Sequence, residues 1–146
     1  MSTTTAGLKP NILSGIKAGA IAGLAGGVVF GMMMGMMGML PMVGMLVRQD
    51  NALVGFIVHM LISAFIGAIY GVATTQLPQG WFAAAIGGMV NGVIWWVLGA
   101  LVLMPIGLGM TQMVLVVGQT QWLSLMGHLI YGFITALAFV PLSKKF

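Results

Sequence analysis

The sequence predicts an all-α integral membrane protein with four transmembrane helices, arranged as a tandem duplication of a two-helix hairpin. Three features carry that reading. Of the 146 residues, 60% are hydrophobic and only 4% charged, whereas a soluble domain carries about 25% charged residues. Four apolar stretches approach the roughly 20 residues that cross a bilayer at about 1.5 Å rise per residue. A sixteen-residue segment also recurs at a constant offset of 65.

The chain opens on a polar tail, residues 1–14, expected in the cytoplasm. No small-residue cleavage site follows a short apolar core, so no cleavable leader is expected. The first span covers 15–40 and ends at Pro41. The second covers 52–75 and completes a first hairpin over 15–76. A short turn at 77–80, within "QLPQG", leads into the third span, 81–104, which ends at Pro105. The fourth covers 122–140 and ends at Pro141. The second hairpin thus occupies 81–140, with a cytoplasmic tail at 141–146. Proline lacks an N–H and is expected to stop a helix at these three ends. Trp81 and Trp122 open their spans, where amphipathic rings favour the interface. The segment 106–118, "IGLGMTQMVLVVG", is apolar but too short to span. It is expected to be interfacial or re-entrant, shielded by protein or water.

Charge sets the orientation. Lys9, Lys17, Lys144 and Lys145 flank the two termini, Arg48 and Asp50 cancel in the loop after the first span, and the loop after the third is uncharged. The positive-inside rule places both termini in the cytoplasm. Lys17 is close enough to the interface to snorkel. A net charge of +4 is too small and dispersed to mark a nucleic-acid surface.

The duplication rests on setting "GIKAGAIAGLAGGVVF" over "GWFAAAIGGMVNGVIW", which match at seven of sixteen positions. Gly15, Gly19, Gly23 and Gly27 fall on Gly80, Ala84, Gly88 and Gly92. Each unit then reaches a proline, and each following span carries one histidine, His59 or His128, at an offset of 69. Each copy crosses twice, so a pseudo-twofold axis is expected along the membrane normal. In the first copy the glycines continue through Gly31 and Gly35, one every four residues. Glycine costs a soluble helix about 1 kcal/mol relative to alanine. In lipid, helices associate through close approach rather than the hydrophobic effect, and small residues cut the groove that permits it. The occupant of that groove stays open: another span, a second copy of the chain, a different subunit, or a flat ligand.

Ionisable residues inside a membrane are functional candidates. His59 and His128 should lie at similar depth. Ser63 and Tyr70 follow His59 on one helix face, while Tyr131 and Thr135 follow His128, and Asn91 sits mid-span. Three readings stand open. The imidazoles fix helix packing through hydrogen bonds; they ligate a tetrapyrrole, haem or a chlorophyll-type pigment; or they line a conduit for a proton or small solute. The run from Met32 to Met45 holds eight methionines in fourteen residues. Thioethers select Cu(I), and Met33 and Met37 share a face suited to a metal, although methionine also fills irregular apolar contacts.

Catalytic sets are missing. Asp50 is the only acid, so a carboxylate pair is impossible. There is no cysteine, and no P-loop, dinucleotide fingerprint or H-E-x-x-H occurs. A non-enzymatic role is expected. From the second span onward, "VHMLISAFIGAIYG" (58–71), "MPIGLG" (104–109) and "GHLIYG" (127–132) resemble the YagU-like family of small bacterial inner-membrane proteins, whose function is unsettled. That family's pattern has an acidic residue shortly before the last Gly-His, where this chain has Ser124. The resemblance implies a bacterial inner-membrane location and weight on Gly127-His128. The leading expectation is a membrane subunit that docks through its glycine faces into a larger complex or a homo-oligomer, with a tetrapyrrole on the histidines. The alternative is a small channel or carrier for a solute, proton or Cu(I).

Overall fold

The computed structural model describes residues 11–77 and 80–146. Residues 1–10, with Lys9 and most of the polar tail, and Pro78 and Gln79 of the expected turn lie outside the described residues. The chain forms α1 (Ile12–Met36), α2 (Leu40–Gly44), α3 (Ala52–Thr74) and α4 (Trp81–Trp95). From α4 it runs unbroken through a π-helical segment, Trp96–Leu103, into α5 (Met104–Gly107), and it ends in α6 (Gln119–Leu142). Four stretches are long and apolar enough to cross a membrane: Ile12–Met36, Ala52–Thr74, Trp81–Gly107 and Gln119–Leu142. The near end of the bundle is where α1 begins and α6 stops; the far end is where α1 stops and α3 begins.

Local chemistry sets the helix ends. Asn11 caps α1, its Oδ1 accepting from the Ser14 N–H and hydroxyl, both at 2.8 Å. Asn51 caps α3 by accepting from the N–H groups of Leu53 and Val54. α1 stops at Met36, short of the expected Leu40, because Gly38 takes the left-handed conformation (φ 66°). The Met39 N–H then donates to Met34 O at 2.9 Å, and the Gly38 N–H to Gly35 O at 3.2 Å. This glycine-closed C-cap satisfies the last carbonyls. Pro41 therefore starts a helix instead of stopping one: it sits in the first turn of α2, where a missing N–H costs nothing.

Pro105 does not end its span either. It lies within the continuous helix that runs to Gly107. In α-helical register its absent N–H would have served Leu101 O. That carbonyl instead accepts from the Leu115 N–H at 2.9 Å. The stretch 106–118 is thus a return loop folded onto the end of its own span. Leu115 makes that bond at φ 59°, in the left-handed region. Pro141 stands inside α6, one residue before its end.

α1 is the centre of the bundle because two adjacent rows of small residues run along it. Gly15, Gly19, Gly23, Gly27 and Gly31 form one row; Ala18, Ala22 and Gly26 form the other, one residue before Gly19, Gly23 and Gly27 and so about 100° around the axis. The first row takes α3. A Cβ on Gly19 would overlap Gly67 O, one on Gly67 would overlap Gly19 O, and Gly71 is in the same relation to Gly15 O. The second row takes α6, with Gly26 against Tyr131 and Thr135, while Gly127 of α6 receives the Phe30 ring. α6 then packs on α4 through a third main-chain contact, Gly88 against Gly132. The order across the bundle is α3–α1–α6–α4.

This order departs from the expected pseudo-twofold. Exchanging the hairpins would make the α1–α6 and α3–α4 packings equivalent. α1 and α6 pack extensively, whereas α3 and α4 touch sparsely. The reason is the second small-residue row of α1, which α4 does not reproduce in contact with α3.

Two outcomes follow. Gly67→Leu forces a side chain into the α1 main chain, so thermal unfolding in lipid nanodiscs should show a loss of about 1–3 kcal/mol or more. Leu115→Gly relieves a left-handed leucine and should raise stability by about 1 kcal/mol, read from the same unfolding curve.

Candidate functional site

α3 and α4 are joined near one end and apart at the other. Toward the near end, the Tyr70 hydroxyl donates to Ala84 O at 3.0 Å, and its ring meets Phe139 edge-on at 5.5 Å. With Ala18, Ala22 and Ala136 these rings make a packed core. Toward the far end no hydrogen bond joins them among the described residues, only the Phe65–Trp95 ring contact at 6.2 Å, and a cavity of about 350 Å³ opens. Its wall takes Phe30 and Met34 from α1, Met39 and Val43 from the α2 region, and His59, Ile62, Phe65 and Ile66 from α3. Trp95, Gly99, Ala100 and Leu103 come from the third span, and Ser124 and His128 from α6. The wall is overwhelmingly apolar and holds no charged side chain.

The π-helical segment shapes one side of this space. Each turn is widened by an extra residue, and such segments often mark functional sites. Gly99 lies in it, and a Cβ added there meets nothing within 4 Å. It differs in this from the ladder glycines Gly15 to Gly31, whose absent side chains are filled by main chain or by packed side chains.

The two histidines, expected at similar depth, both line the cavity. His59, 7% exposed, hydrogen-bonds through Nε2 to Gly27 O at 2.9 Å. His128 hydrogen-bonds through Nδ1 to Ser124 O, one turn earlier on its own helix, at 2.8 Å. A carbonyl only accepts, so each contacting nitrogen carries the proton. Phe30 stands edge-on to both imidazoles, with ring centroids 5.3 and 4.9 Å away. The rings therefore share an aromatic partner, an arrangement that does not offer both to one iron.

The other expected polar residues are placed elsewhere. Tyr131 reaches under α1, past Gly23 and Gly26, and donates to Ser63 O at 2.6 Å. This bond ties α6 to α3 across α1, with the tyrosine using the gap the glycines leave. The Ser63 hydroxyl lies 3.5 Å from His59 Nε2, at the limit of a hydrogen bond. Thr135 is fully buried beside Gly26. The Asn91 amide nitrogen is buried without a partner. None of Ser63, Tyr70, Asn91, Tyr131 and Thr135 lines the cavity.

Met33 packs half-buried against the apolar cluster around Phe30, and Met37 caps α1; neither lines the cavity, whereas Met34, Met39 and Met104 do. Among the described residues no group of three His, Asp or Glu side chains could hold a metal. Sequence reading missed Phe30, Trp95, Gly99 and the cavity methionines. Only the glycine in "WWVLGALVLMP", set off from any four-residue ladder, hinted at an unfilled position.

The chain matches no protein-family model, and no curated protein and no solved structure matches it.

Tyr131→Phe removes the α6–α3 tie while keeping the ring. It should destabilise the bundle by about 0.6 kcal/mol, the mean for interhelical bonds in membranes, and by no more than about 1.7 kcal/mol, as measured by thermal unfolding in nanodiscs.

Proposed function

We propose that the chain is a non-enzymatic, multi-pass protein of a bacterial inner membrane, with both termini in the cytoplasm. It binds a small, mainly apolar molecule that enters from the bilayer between α3 and α4. The observation that carries this reading is the far-end cavity. Its size, about 350 Å³, falls at the lower end of the roughly 300–1,000 Å³ of ligand pockets. It combines an apolar wall with a few polar groups, His59, Ser124 and His128, the usual composition of such sites. It also lies where two neighbouring helices leave the bundle open to lipid.

The location rests on the lysine distribution and on the resemblance to the YagU-like family. A subunit role through the glycine faces loses ground, because the rungs from Gly15 to Gly31 and the pair Gly88 and Gly92 already face groups of the same chain. A continuous conduit is disfavoured by the packed near-end core around Tyr70 and Phe139. The hairpins are read as copies. Gly23 meets Ser63 and Gly27 meets His59 in the first; Gly88 meets Gly132 and Gly92 meets His128 in the second. The offsets are 65 on the leading helix and 69 on the following one, the same two that relate the glycines and the histidines in the sequence.

Gly99→Leu tests the reading, because the added side chain enters open space rather than packed protein. Naphthalene should bind the wild-type protein in nanodiscs above the level of empty discs. The variant should bind it at least about tenfold more weakly, the effect of losing contacts worth about 1.4 kcal/mol, with unfolding temperature unchanged or raised. Equal binding to both proteins overturns the proposal.

A further inference from the structure

We propose that the cavity selects molecules carrying a hydroxyl donor on an aromatic or otherwise apolar body, a phenol or a hydroquinone in chemical class. This rests on the cavity being a binding site, and it deepens that reading.

A neutral imidazole has one N–H and one bare lone pair. Gly27 O takes the N–H of His59 at Nε2, and Ser124 O takes that of His128 at Nδ1. Both acceptors are main-chain carbonyls, which cannot donate, so neither ring can exchange tautomers without losing its bond. Nδ1 of His59 and Nε2 of His128 are left as acceptors, and neither makes a hydrogen bond among the described residues. The Trp95 indole can donate but not accept. The Ser124 hydroxyl, also in the wall, lies 3.4 Å from the protonated Nδ1 of His128, which leaves the two bare imidazole nitrogens as the wall's side-chain acceptors without a hydrogen bond among the described residues.

A molecule must supply a donor to use them. A ketone, ether or ester has no donor and leaves both imidazole lone pairs unmatched, and burying unmatched acceptors is costly. A charged group is disfavoured differently: the wall has no opposite charge, and an unpaired ion in an apolar site is the most expensive occupant. A neutral hydroxyl satisfies the imidazole at no such cost. Phe30, Phe65 and Trp95 then provide ring contacts for an aromatic body.

The test compares 1-naphthol with 1-methylnaphthalene, which differ in a hydroxyl for a methyl at nearly constant shape. Binding is measured on the full chain in nanodiscs and corrected against empty discs. Wild type should prefer 1-naphthol by about tenfold. His59→Leu and His128→Leu each remove both ring nitrogens at nearly constant volume and leave no side-chain acceptor in their place. The double variant should lose the preference while binding 1-methylnaphthalene as wild type does. Equal binding of the two probes by wild type, or a preference that survives in the double variant, overturns the inference and leaves the cavity a binding site. Binding of neither probe by wild type overturns the proposed function, and the inference with it.

Discussion

The bundle depends on main chain meeting main chain along α1. Lipid tails are as apolar as leucine, so burying apolar side chains against one another gives membrane helices little net drive. What remains is dispersion, which is large only when many atoms come close, together with weak Cα–H···O contacts. Gly15, Gly19 and Gly23 bring α1 onto Gly71, Gly67 and Ser63 at distances that a single added carbon would not survive. The intrinsic helical penalty of glycine is the cost of that approach. A second small-residue row at Ala18, Ala22 and Gly26 lets α1 do the same with α6. Two rows on one helix dictate a row of helices, and α3 and α4 fall at its two edges.

That arrangement decides where the polar groups go. Tyr131 crosses beneath α1 only because glycine leaves room, and it finishes on the Ser63 carbonyl. Tyr70 finishes on Ala84 O, His59 on Gly27 O and His128 on Ser124 O. In each case a side-chain donor meets a main-chain carbonyl: the two tyrosine bonds and that of His59 join different helices, and that of His128 stays within α6, all without any charge. The edge helices α3 and α4 have no comparable small-residue contact with each other. Tyr70 holds them at the near end; at the far end bulky Phe65 and Trp95 meet edge-on at 6.2 Å and hold them apart. The cavity is the consequence of three close pairs and one loose one.

The number of spans was legible because hydropathy and length alone fix it, and the histidines stood out because ionisable groups are so rare in lipid. Helix ends were less legible. Pro41 and Pro105 read as stops, yet a proline is also at ease in a first turn, as in α2, and tolerable within a span when another donor serves the orphaned carbonyl, as Leu115 does for Leu101. Neither fact is local in sequence. The glycine ladder announced a close contact but could not name the partner, since an absent side chain carries no complementarity. The cavity was hidden for a related reason. It is bounded by residues of all six α-helices and a π-helical stretch, and a π turn differs from an α turn by one residue of register that composition does not reveal.

The far end also concentrates the chain's departures from ideal backbone. The π-helical stretch Trp96–Leu103, the proline that follows it and the left-handed Leu115 that repairs the proline's missing bond are one connected device. Each departure has a cost, of order 1–3 kcal/mol where the backbone enters a sparsely populated region. A plain α-helix ending at Leu103 would avoid all three. It would also carry one residue fewer per turn past the cavity and shift Gly99 and Ala100 relative to His59 and His128. The cost is sustained beside the open space that His59 and His128 line. Selection for stability alone would remove it, so the strain is most simply understood as the means by which the third span keeps that wall in place.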